Sequence, residues 1–350
     1  MKDSIKTAFV IIATLVGAGF ASGKEIYSFF LIYGINGIFG ICISALLISV
    51  VVYKVYKICN VNHINDYKGF CEHIIHKNTI VKKLGLTKKL SIWLSNVINI
   101  LLLITFFVMI SGFSSFLRQE FYINKFLGST IIVVLCYITF QKNVEGLLKI
   151  SNYLVPILIV LLLLISSKNL EIAHNYNNVC ETFLNSHILI AILSAILYGS
   201  YNCILLIPVL ITLIGAMKNT RKIMTVSVCS FILITLLSLS VYNILLLGDS
   251  NIFSLEMPVI EIVKRYGNGY KYIYLAMIGG AIYTTAISTG CGFLNGVSKD
   301  RGSFKRKSFL MCVVAVFLSQ ISFSLLVECL YPVLGVIGIM ELMLLFCCRG

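Results

Sequence analysis

Long apolar runs constrain this chain more than any short motif does, because each run is about long enough to cross a lipid bilayer. The first extends from Ala8 to Tyr33, and comparable runs recur to the end of the sequence. A helix needs about 20 apolar residues to span the hydrocarbon layer. Of the 350 residues, 59% are hydrophobic and 12% are charged, so there are too few charged side chains to cover a soluble globule. The sequence predicts an all-α polytopic membrane protein, with the lipid bilayer as its first partner.

Basic residues are concentrated in short clusters between the apolar runs. The formal charge of +14 does not indicate nucleic acid binding, because that reading needs one folded basic face rather than scattered clusters. The segment at about 58–90 carries many lysines, whereas the segment at about 167–187 is nearly free of Lys and Arg. Cytoplasmic loops are enriched in these two residues. We therefore expect a partly helical cytoplasmic loop at about 58–90, and both termini in the cytoplasm.

About ten spans can be placed along the chain, which we treat as a single transmembrane domain, 1–350. They divide into two sets of five, at about 7–166 and about 188–348. The ninth span is placed at about 308–327 and the tenth at 331–348. Because five is odd, two such sets must cross the membrane in opposite orientations. The sequence therefore predicts a five-plus-five inverted repeat.

The first span is interrupted by small residues in its middle. Three glycines fall within seven residues, and each costs a helix interior about 1 kcal/mol relative to alanine. Non-helical backbone persists in lipid only where protein buries it or a wet cavity solvates it, so the interruption is a predicted binding site. Close packing against another helix is the alternative explanation of the glycines. The predicted substrate-binding residues of this span are Gly17, Ala18, Gly19, Phe20, Ala21, Ser22 and Gly23.

The sixth span, at about 188–214, occupies the same place in the second repeat and is also predicted to be broken. A run of polar and small residues lies in its middle, and Pro208 follows. Inverted repeats place such interruptions opposite each other near the middle of the bilayer. We therefore expect helices 1 and 6 to be broken and to form the two walls of one site. The predicted residues of the second wall are Gly199, Ser200, Tyr201 and Asn202.

A broken helix exposes backbone groups of both signs. Amide groups are freed at the start of its second half, and carbonyl groups at the end of its first half. Amides around residues 19–22 could hold a carboxylate. Carbonyl groups near Thr14, Val16 and Gly17 could hold a cation or the ammonium group of a solute. These features predict a small zwitterionic or amine-bearing solute, with Thr14 and Gly17 among the ion-binding residues.

Two acidic residues within apolar spans are candidates for proton coupling. Glu25 follows the interrupted segment directly, and Glu341 lies among apolar neighbours in the tenth span. Charges inside a membrane are costly unless they are paired or wet. Glu25 has two explanations: together with Lys24 it caps the outer half of the first helix near an outer vestibule, or it carries the coupled proton. Glu341 is either a proton-relay group or the partner of a polar group in another span.

The segment VGAGFASGKEIYSFF, after a short basic amino terminus, resembles the YkvI-type membrane proteins of Gram-positive bacteria. The resemblance implies a bacterial plasma membrane protein of the amino acid-polyamine-organocation superfamily with a LeuT-type fold. Transporters of that fold bind substrate between the breaks of spans one and six, and sodium between spans one and eight. The sodium site of that fold uses, in span eight, a carbonyl followed three and four residues later by hydroxyls, and Thr285, Ser288 and Thr289 have this spacing. Hydrogen bonding to their own helix is the alternative explanation of these hydroxyls.

A secondary active transporter that works by alternating access is the function that these features favour. The coupling ion is sodium or a proton, and no other cofactor is predicted. An enzyme is not predicted, because the sequence contains no P-loop and no Ser-His-Asp or Cys-His set that shares a wet pocket. The alternative is a ligand-sensing membrane subunit, similar to the germinant-receptor components of spore formers, which binds a solute without moving it. A channel is the third possibility.

Overall fold

The structure, a computed structural model, describes residues 2–77, 87–141, 145–173, 188–217 and 219–348. Their regular secondary structure is helical, so the predicted all-α class is confirmed. Short 3-10 turns follow two of the helices, at Leu31–Tyr33 and Ile214–Ala216. We number the α-helices of the described residues in chain order as α1 (Lys2–Leu15), α2 (Ala18–Ser22), α3 (Lys24–Phe29), α4 (Ile35–Val61), α5 (Tyr67–Lys77), α6 (Thr87–Phe121), α7 (Lys125–Gln141), α8 (Glu145–Ala173), α9 (Ile188–Thr212), α10 (Thr220–Leu245), α11 (Ser250–Ser254), α12 (Pro258–Lys264), α13 (Asn268–Val297), α14 (Arg301–Leu318) and α15 (Phe323–Cys347).

Six of these helices are long and apolar enough to cross a membrane. They are α4, α6 from Ile92 onwards, α9, α10, α13 and α15. Shorter apolar helices lie within α1, α7 and α8. A polytopic membrane protein is therefore the class that the described residues support. The full set of ten spans in an inverted repeat stays a prediction.

The predicted interruption of the first span is present. α1 ends at Leu15, α2 has only five residues, and α3 begins after Gly23. Gly23 has a φ of +86°, in the left-handed region that residues with a Cβ rarely adopt, and a Cβ there would also crowd the Val259 side chain. α2 is therefore separated from its neighbours by non-helical backbone on both sides.

The predicted break of the sixth span is wrong. α9 is one continuous helix, and the four residues from Gly199 to Asn202 are helical and buried within it. The side-chain amide of Asn202 donates to the carbonyl oxygen of Tyr198, one turn earlier, at 2.9 Å. Pro208 also lies inside the helix, which membrane helices tolerate because neighbouring groups satisfy the freed backbone.

Close contact between helices explains the glycine in α9, which faces α4, and a glycine of α15, which faces α9. A Cβ at Gly199 would lie 2.8 Å from the side chain of Leu47 in α4. A Cβ at Gly338 in α15 would collide with the carbonyl oxygen of Ser200. Small residues allow helices to approach each other closely in membranes. Helix packing, the alternative considered for the first span, is thus the explanation of Gly199 in the sixth.

The last two helices begin and end earlier than predicted. α14 ends before residue 320 rather than near 327, and α15 begins at Phe323 rather than Tyr331. The side chain of Ser322 accepts a hydrogen bond from the backbone N–H of Leu325 at 3.1 Å. This polar cap begins the helix, because it satisfies one of the amides that a helix start leaves free. Pro332 then lies inside α15 instead of starting it.

The predicted loop at about 58–90 contains α5, so part of it is helical as expected, while its residues 78–86 lie outside the described part. One face of α5 is buried, including Phe70 and Cys71. α5 packs against α6, α9 and α15. It therefore belongs to the helix bundle.

Replacing Gly338 by alanine is expected to destabilise the protein, because the new Cβ must push α15 away from the carbonyl oxygen of Ser200. Overpacking of this kind costs about 1–3 kcal/mol. Gly269→Ala is the matched control, since a Cβ on Gly269 in the first turn of α13 would have no atom within 4 Å. Thermal unfolding of the purified variants should show a lower midpoint for Gly338→Ala only. Equal midpoints would show that α9 and α15 are not in such close contact.

Candidate binding site at the break of the first helix

The carboxylate of Glu25 lies at the break of the first helix. Glu25 is in the first turn of α3 and is only 2% exposed. Its carboxylate accepts hydrogen bonds from the hydroxyl of Tyr201 in α9 and from the backbone N–H of Phe20 in α2. Gly19 makes room for it, because a Cβ on that residue would collide with the carboxylate. Glu25 therefore joins the two predicted walls of the site.

The amides at the start of α2 are bound by side chains of the protein itself. The backbone N–H of Ala18 donates to the sulfur atom of Met109 in α6 at 3.5 Å. The backbone N–H of Phe20 donates to Glu25. We expected these amides to hold a carboxylate, and in this conformation that carboxylate belongs to the protein.

The carbonyl groups at the end of α1 lose their helical donors as a consequence. In an α-helix, each carbonyl accepts from the N–H four residues later. Here the amides of residues 17, 18 and 20 donate instead to Leu15, Met109 and Glu25. The carbonyl groups of residues 13, 14 and 16 therefore have no helical N–H in front of them. Two of these belong to the segment predicted to hold a cation.

The side chain of Thr285 in α13 lies beside the same segment. The methyl carbon of Thr285 is 3.7 Å from the position that a Cβ on Gly17 would take. The hydroxyl of Thr285 is buried and forms no hydrogen bond within the part of the chain described. A buried polar group without a partner is costly. The sequence predicted the carbonyl group of Thr285 as the ion ligand, and the structure adds its hydroxyl, an oxygen without a hydrogen-bond partner in the described residues.

The other predicted ion ligands are arranged differently. The hydroxyl of Thr289 donates to the carbonyl oxygen of Thr285 at 2.8 Å, and that of Thr14 donates to Val10 at 2.9 Å. Both bonds lie within their own helix, as the alternative explanation states. Ser288 is exposed, whereas Thr285 and Thr289 are buried, so Ser288 does not share the buried face of α13 with them.

Lys24 is buried beside Glu25 in the chain, but its contacts lie elsewhere. Its ammonium group donates to the carbonyl oxygen of Phe253 at 2.7 Å and lies 3.9 Å from the carboxylate of Glu328 in α15. Among the described residues, no ion pair involves Glu25. The hydrogen bond between Glu25 and the amide of Phe20 resembles a cap of α2, and the carboxylate that forms it is buried within the protein.

Glu25 adjoins a cluster of aromatic rings through the hydroxyl of Tyr201. The ring of Tyr201 lies 4.7 Å from that of Tyr331 in α15 and 5.5 Å from that of Tyr198, measured between centroids. Phe29 of α3 stacks on Tyr201 at 6.0 Å. All three tyrosines are close enough to Glu25 to interact with its charge. We refer to these three tyrosines and Phe29 as the aromatic cage.

Ser200 and Asn202, the remaining predicted polar residues of α9, are both buried. The hydroxyl of Ser200 is buried and has no hydrogen-bond partner within the described residues. Asn202 lines a cavity of about 10 Å³ together with Phe20 and Tyr198. Such a volume is about the minimum for one water molecule. The site is therefore closed to an organic solute in this conformation.

The second predicted acidic residue, Glu341, is fully buried in α15. One carboxylate oxygen accepts a hydrogen bond from the hydroxyl of Tyr67 in α5 at 2.9 Å. The other oxygen has no partner within the part of the chain described. Cys71 of α5 and Cys203 of α9 are close enough to interact with its charge. Glu341 is thus paired with a polar group, but that group comes from α5 rather than from another long span.

Sequence analysis did not find the residues that distant helices contribute to the site. Met109 and Tyr331 lie in long apolar helices, and nothing in the surrounding sequence pattern indicates that they contact the break of the first helix. Tyr274 of α13 donates its hydroxyl to the carbonyl oxygen of Ala21 at 2.6 Å and so binds α2. The one available signal was tyrosine inside apolar spans, because a buried tyrosine hydroxyl usually finds a hydrogen-bond partner.

Solved structures of two membrane transporters share this fold. A crystal structure of a variant of the Eremococcus coleocola manganese transporter aligns with a TM-score of 0.61 and 14% sequence identity, covering 98% of this chain and 78% of that chain. A substrate-bound, outward-open Na⁺-coupled sialic acid symporter aligns with a TM-score of 0.59 and 13% identity, covering 98% and 77%. At such identities the likeness concerns the fold alone.

Two Bacillus subtilis proteins are similar in sequence along almost the whole chain. The uncharacterized membrane protein YkvI is 27% identical over 355 residues, which cover 97% of this chain and 94% of YkvI. The uncharacterized protein YyaD is 25% identical over 363 residues, with the same coverage. No family model matches the chain. The resemblance noted around the first span therefore extends to nearly full length.

Tyr201→Phe is expected to destabilise the protein, because it removes the hydroxyl that donates to the buried carboxylate of Glu25. Leaving a buried acceptor without its donor costs about 1–3 kcal/mol. Tyr56→Phe is the matched control, since the Tyr56 hydroxyl is buried without a hydrogen-bond partner in the described residues. Thermal unfolding should show a lower midpoint for the first variant and no loss for the second. Two equal shifts would contradict the Tyr201–Glu25 contact.

Proposed function

We propose that this protein is a secondary active transporter of a small organic solute, an amino acid or an amine, that works by alternating access. One observation carries the proposal: the first helix is broken beside α9, so that free backbone groups, Glu25 and the aromatic cage meet inside the bundle. The fold shared with two transporters supports it. Because the cavity is closed, a solute can reach it only when helices move, as alternating access requires.

We further propose ten membrane-crossing segments in a five-plus-five inverted repeat, in which α1 to α3 form the first segment and α9 the sixth. Contacts at the helix ends support the alternation. The ammonium group of Lys54 donates to the carbonyl oxygen of Phe346 at 3.1 Å, and that of Lys125 to Ile321 at 2.7 Å. Alternation assigns the first pair to the cytoplasmic side and the second to the outer side. The clusters of Lys and Arg favour this orientation, with both termini in the cytoplasm.

Sodium or a proton would couple transport to an ion gradient. Carbonyl groups at the end of α1 and the hydroxyl of Thr285 offer oxygen ligands, which hard cations prefer. Glu25 and Glu341 are buried carboxylates that can each take up a proton. Glu25 lies where helices meet at the break, and Glu341 lies next to α5. Movement of the helices between conformations would change the exposure of both carboxyl groups to water.

A ligand-sensing membrane subunit is the second candidate function. The closed site, with its own carboxylate already in place, could bind a solute and pass on a change of helix packing without transport. It differs from the transporter in one measurable property, which is accumulation against a gradient.

Proteoliposomes containing the purified protein should accumulate a solute that binds to it, and accumulation should stop when the coupling gradient is collapsed. Uptake of labelled amino acids and amines, with a sodium ionophore or a protonophore added in turn, measures this. A solute that binds but never enters would favour the sensor. Entry that stops at equal concentrations inside and outside would favour a channel.

Thr285→Val is expected to abolish any stabilisation of the protein by sodium, because it keeps the shape of a side chain that lies beside Gly17 and removes its hydroxyl, which has no hydrogen-bond partner in the described residues. Ligands that bind only the native state raise its unfolding temperature, so thermal unfolding in sodium and in choline salts reports the effect. Thr284→Val is the control, since the hydroxyl of Thr284 donates to its own helix at Ala281, 3.1 Å away. A sodium effect that survives in Thr285→Val would place the ion elsewhere.

A further inference from the structure

Glu25 is a buried acidic side chain, and no basic side chain of the described residues forms an ion pair with it. The ammonium group of the neighbouring Lys24 donates a hydrogen bond to the carbonyl oxygen of Phe253 and forms an ion pair with Glu328. An ionised carboxylate inside a membrane protein is costly unless a cation accompanies it. Two hydrogen bonds, from Tyr201 and Phe20, lower that cost without supplying the missing positive charge. The site therefore requires a proton or another cation.

The place where a solute carboxylate would bind is already taken. The amide of Phe20 donates to Glu25, and that of Ala18 donates to Met109. Gly19 leaves no Cβ in the way, so the carboxylate of Glu25 rests directly on the backbone of α2. An amino acid could place its carboxylate on these amides only by displacing Glu25 and Met109. The displaced carboxyl group of Glu25 would then lose its backbone donor inside the protein, which is costly for a buried polar group. An ammonium ion without a carboxylate needs no such displacement.

The aromatic cage favours a positively charged group over a carboxylate. The rings of Tyr198 and Tyr331 lie 5.5 Å and 4.7 Å from the ring of Tyr201, and all three are near Glu25. The faces of aromatic rings attract ammonium groups, and cages of such rings recognise organic cations. In this conformation the rings pack against one another and Tyr201 meets Glu25 through its hydroxyl. When the site opens, the carboxylate and the neighbouring ring faces together would suit an organic ammonium ion.

We propose that the solute is an organic cation without a carboxylate, and that its ammonium group binds Glu25 within the aromatic cage in exchange for a proton. This inference rests on the proposed transport function and narrows its solute class. In the closed structure a proton on Glu25 neutralises the carboxyl group. When the site opens, the ammonium ion takes the place of that proton, and the proton leaves to water.

The exchange balances in charge. A neutral carboxyl group and an ammonium ion give a carboxylate–ammonium pair and one released proton, and the reverse occurs when the solute leaves. The groups that face Glu25 are tyrosines Tyr198 and Tyr201 on α9 and Tyr331 on α15, while Lys24 is its neighbour on α3. Tyrosine hydroxyls stay protonated near neutral pH. Glu25 is therefore the group of this site that exchanges the proton.

Pairs of compounds that differ only in a carboxylate test the solute class. Leucine with isoamylamine, phenylalanine with phenethylamine, lysine with cadaverine, and betaine with choline are suitable probes. We expect at least one amine or choline to raise the unfolding temperature of the full-length protein, and its carboxylate-bearing partner to have no effect. If the carboxylate-bearing members stabilise the protein and the cations do not, the inference is overturned. It is also overturned if no cation stabilises the protein at any pH tested.

The pH dependence of binding tests the exchange. Where free Glu25 is protonated, the affinity for the cation should fall about tenfold for each unit that the pH is lowered, because one proton must leave. In weakly buffered solution, binding should release about one proton for each cation bound. Glu25→Gln should lose the cation effect and the proton release, whereas Glu72→Gln, at an exposed carboxylate of α5, should keep both. Proton release that persists in Glu25→Gln would overturn the exchange.

A pair of variants at Tyr331 tests the cage without touching the carboxylate. Tyr331→Phe keeps the ring and should keep cation binding, whereas Tyr331→Leu removes the ring and should weaken it by roughly threefold to thirtyfold. Equal binding by both variants would overturn the cage as the binding element.

The outcomes separate the inference from the proposed function. Cation binding with the expected pH dependence, but without uptake into proteoliposomes, would overturn transport and leave the cation site standing. Accumulation of an amino acid, with no effect of its decarboxylated partner, would overturn the cation site and leave transport standing.

Discussion

The carboxylate of Glu25 and the broken backbone beneath it depend on each other. A buried carboxylate needs hydrogen-bond donors, and the amide of Phe20 can serve only because the first helix is interrupted before α2. A free amide inside a membrane protein needs an acceptor in turn, and Glu25 provides it. Gly19 lets the two meet, and Gly23 has the left-handed backbone conformation that brings the chain back from α2 into α3. The hydroxyl of Tyr201 then connects this unit to α9.

Because α9 is continuous, the two walls of the site are built from different groups. The wall from α1 to α3 presents backbone carbonyls and amides, while α9 presents side chains, chiefly Tyr198, Tyr201 and the unpaired hydroxyl of Ser200. Helix dipoles can therefore act at one wall only. The charge of the solute that the site selects then depends on Glu25 and on the aromatic rings.

Several features were predictable from the sequence because they rest on local physics. The break at Gly17 to Gly23 follows from the cost of glycine in a helix, and the membrane spans follow from the length of the apolar runs. The same reasoning was wrong for Gly199, because glycine also serves close helix contact, and only the position of Leu47 in α4 distinguishes the two uses. Ser288 fits a spacing that matches an ion site, yet it lies on an exposed part of α13. Spacing along one helix does not fix which face meets a neighbour.

The sequence by itself determined that the chain is an all-helical membrane protein, that its first span is broken, and that two carboxylates lie within apolar segments. These properties follow from composition, from residue periodicity and from the backbone freedom of glycine, all of which act over a few neighbouring residues. Only the tertiary structure decided that Glu25 binds the freed amide of Phe20, that Tyr331 and Tyr198 pack against Tyr201 next to it, and that Tyr67 of α5 reaches Glu341. Those contacts join helices far apart in the chain, and their geometry is set by how the whole bundle packs.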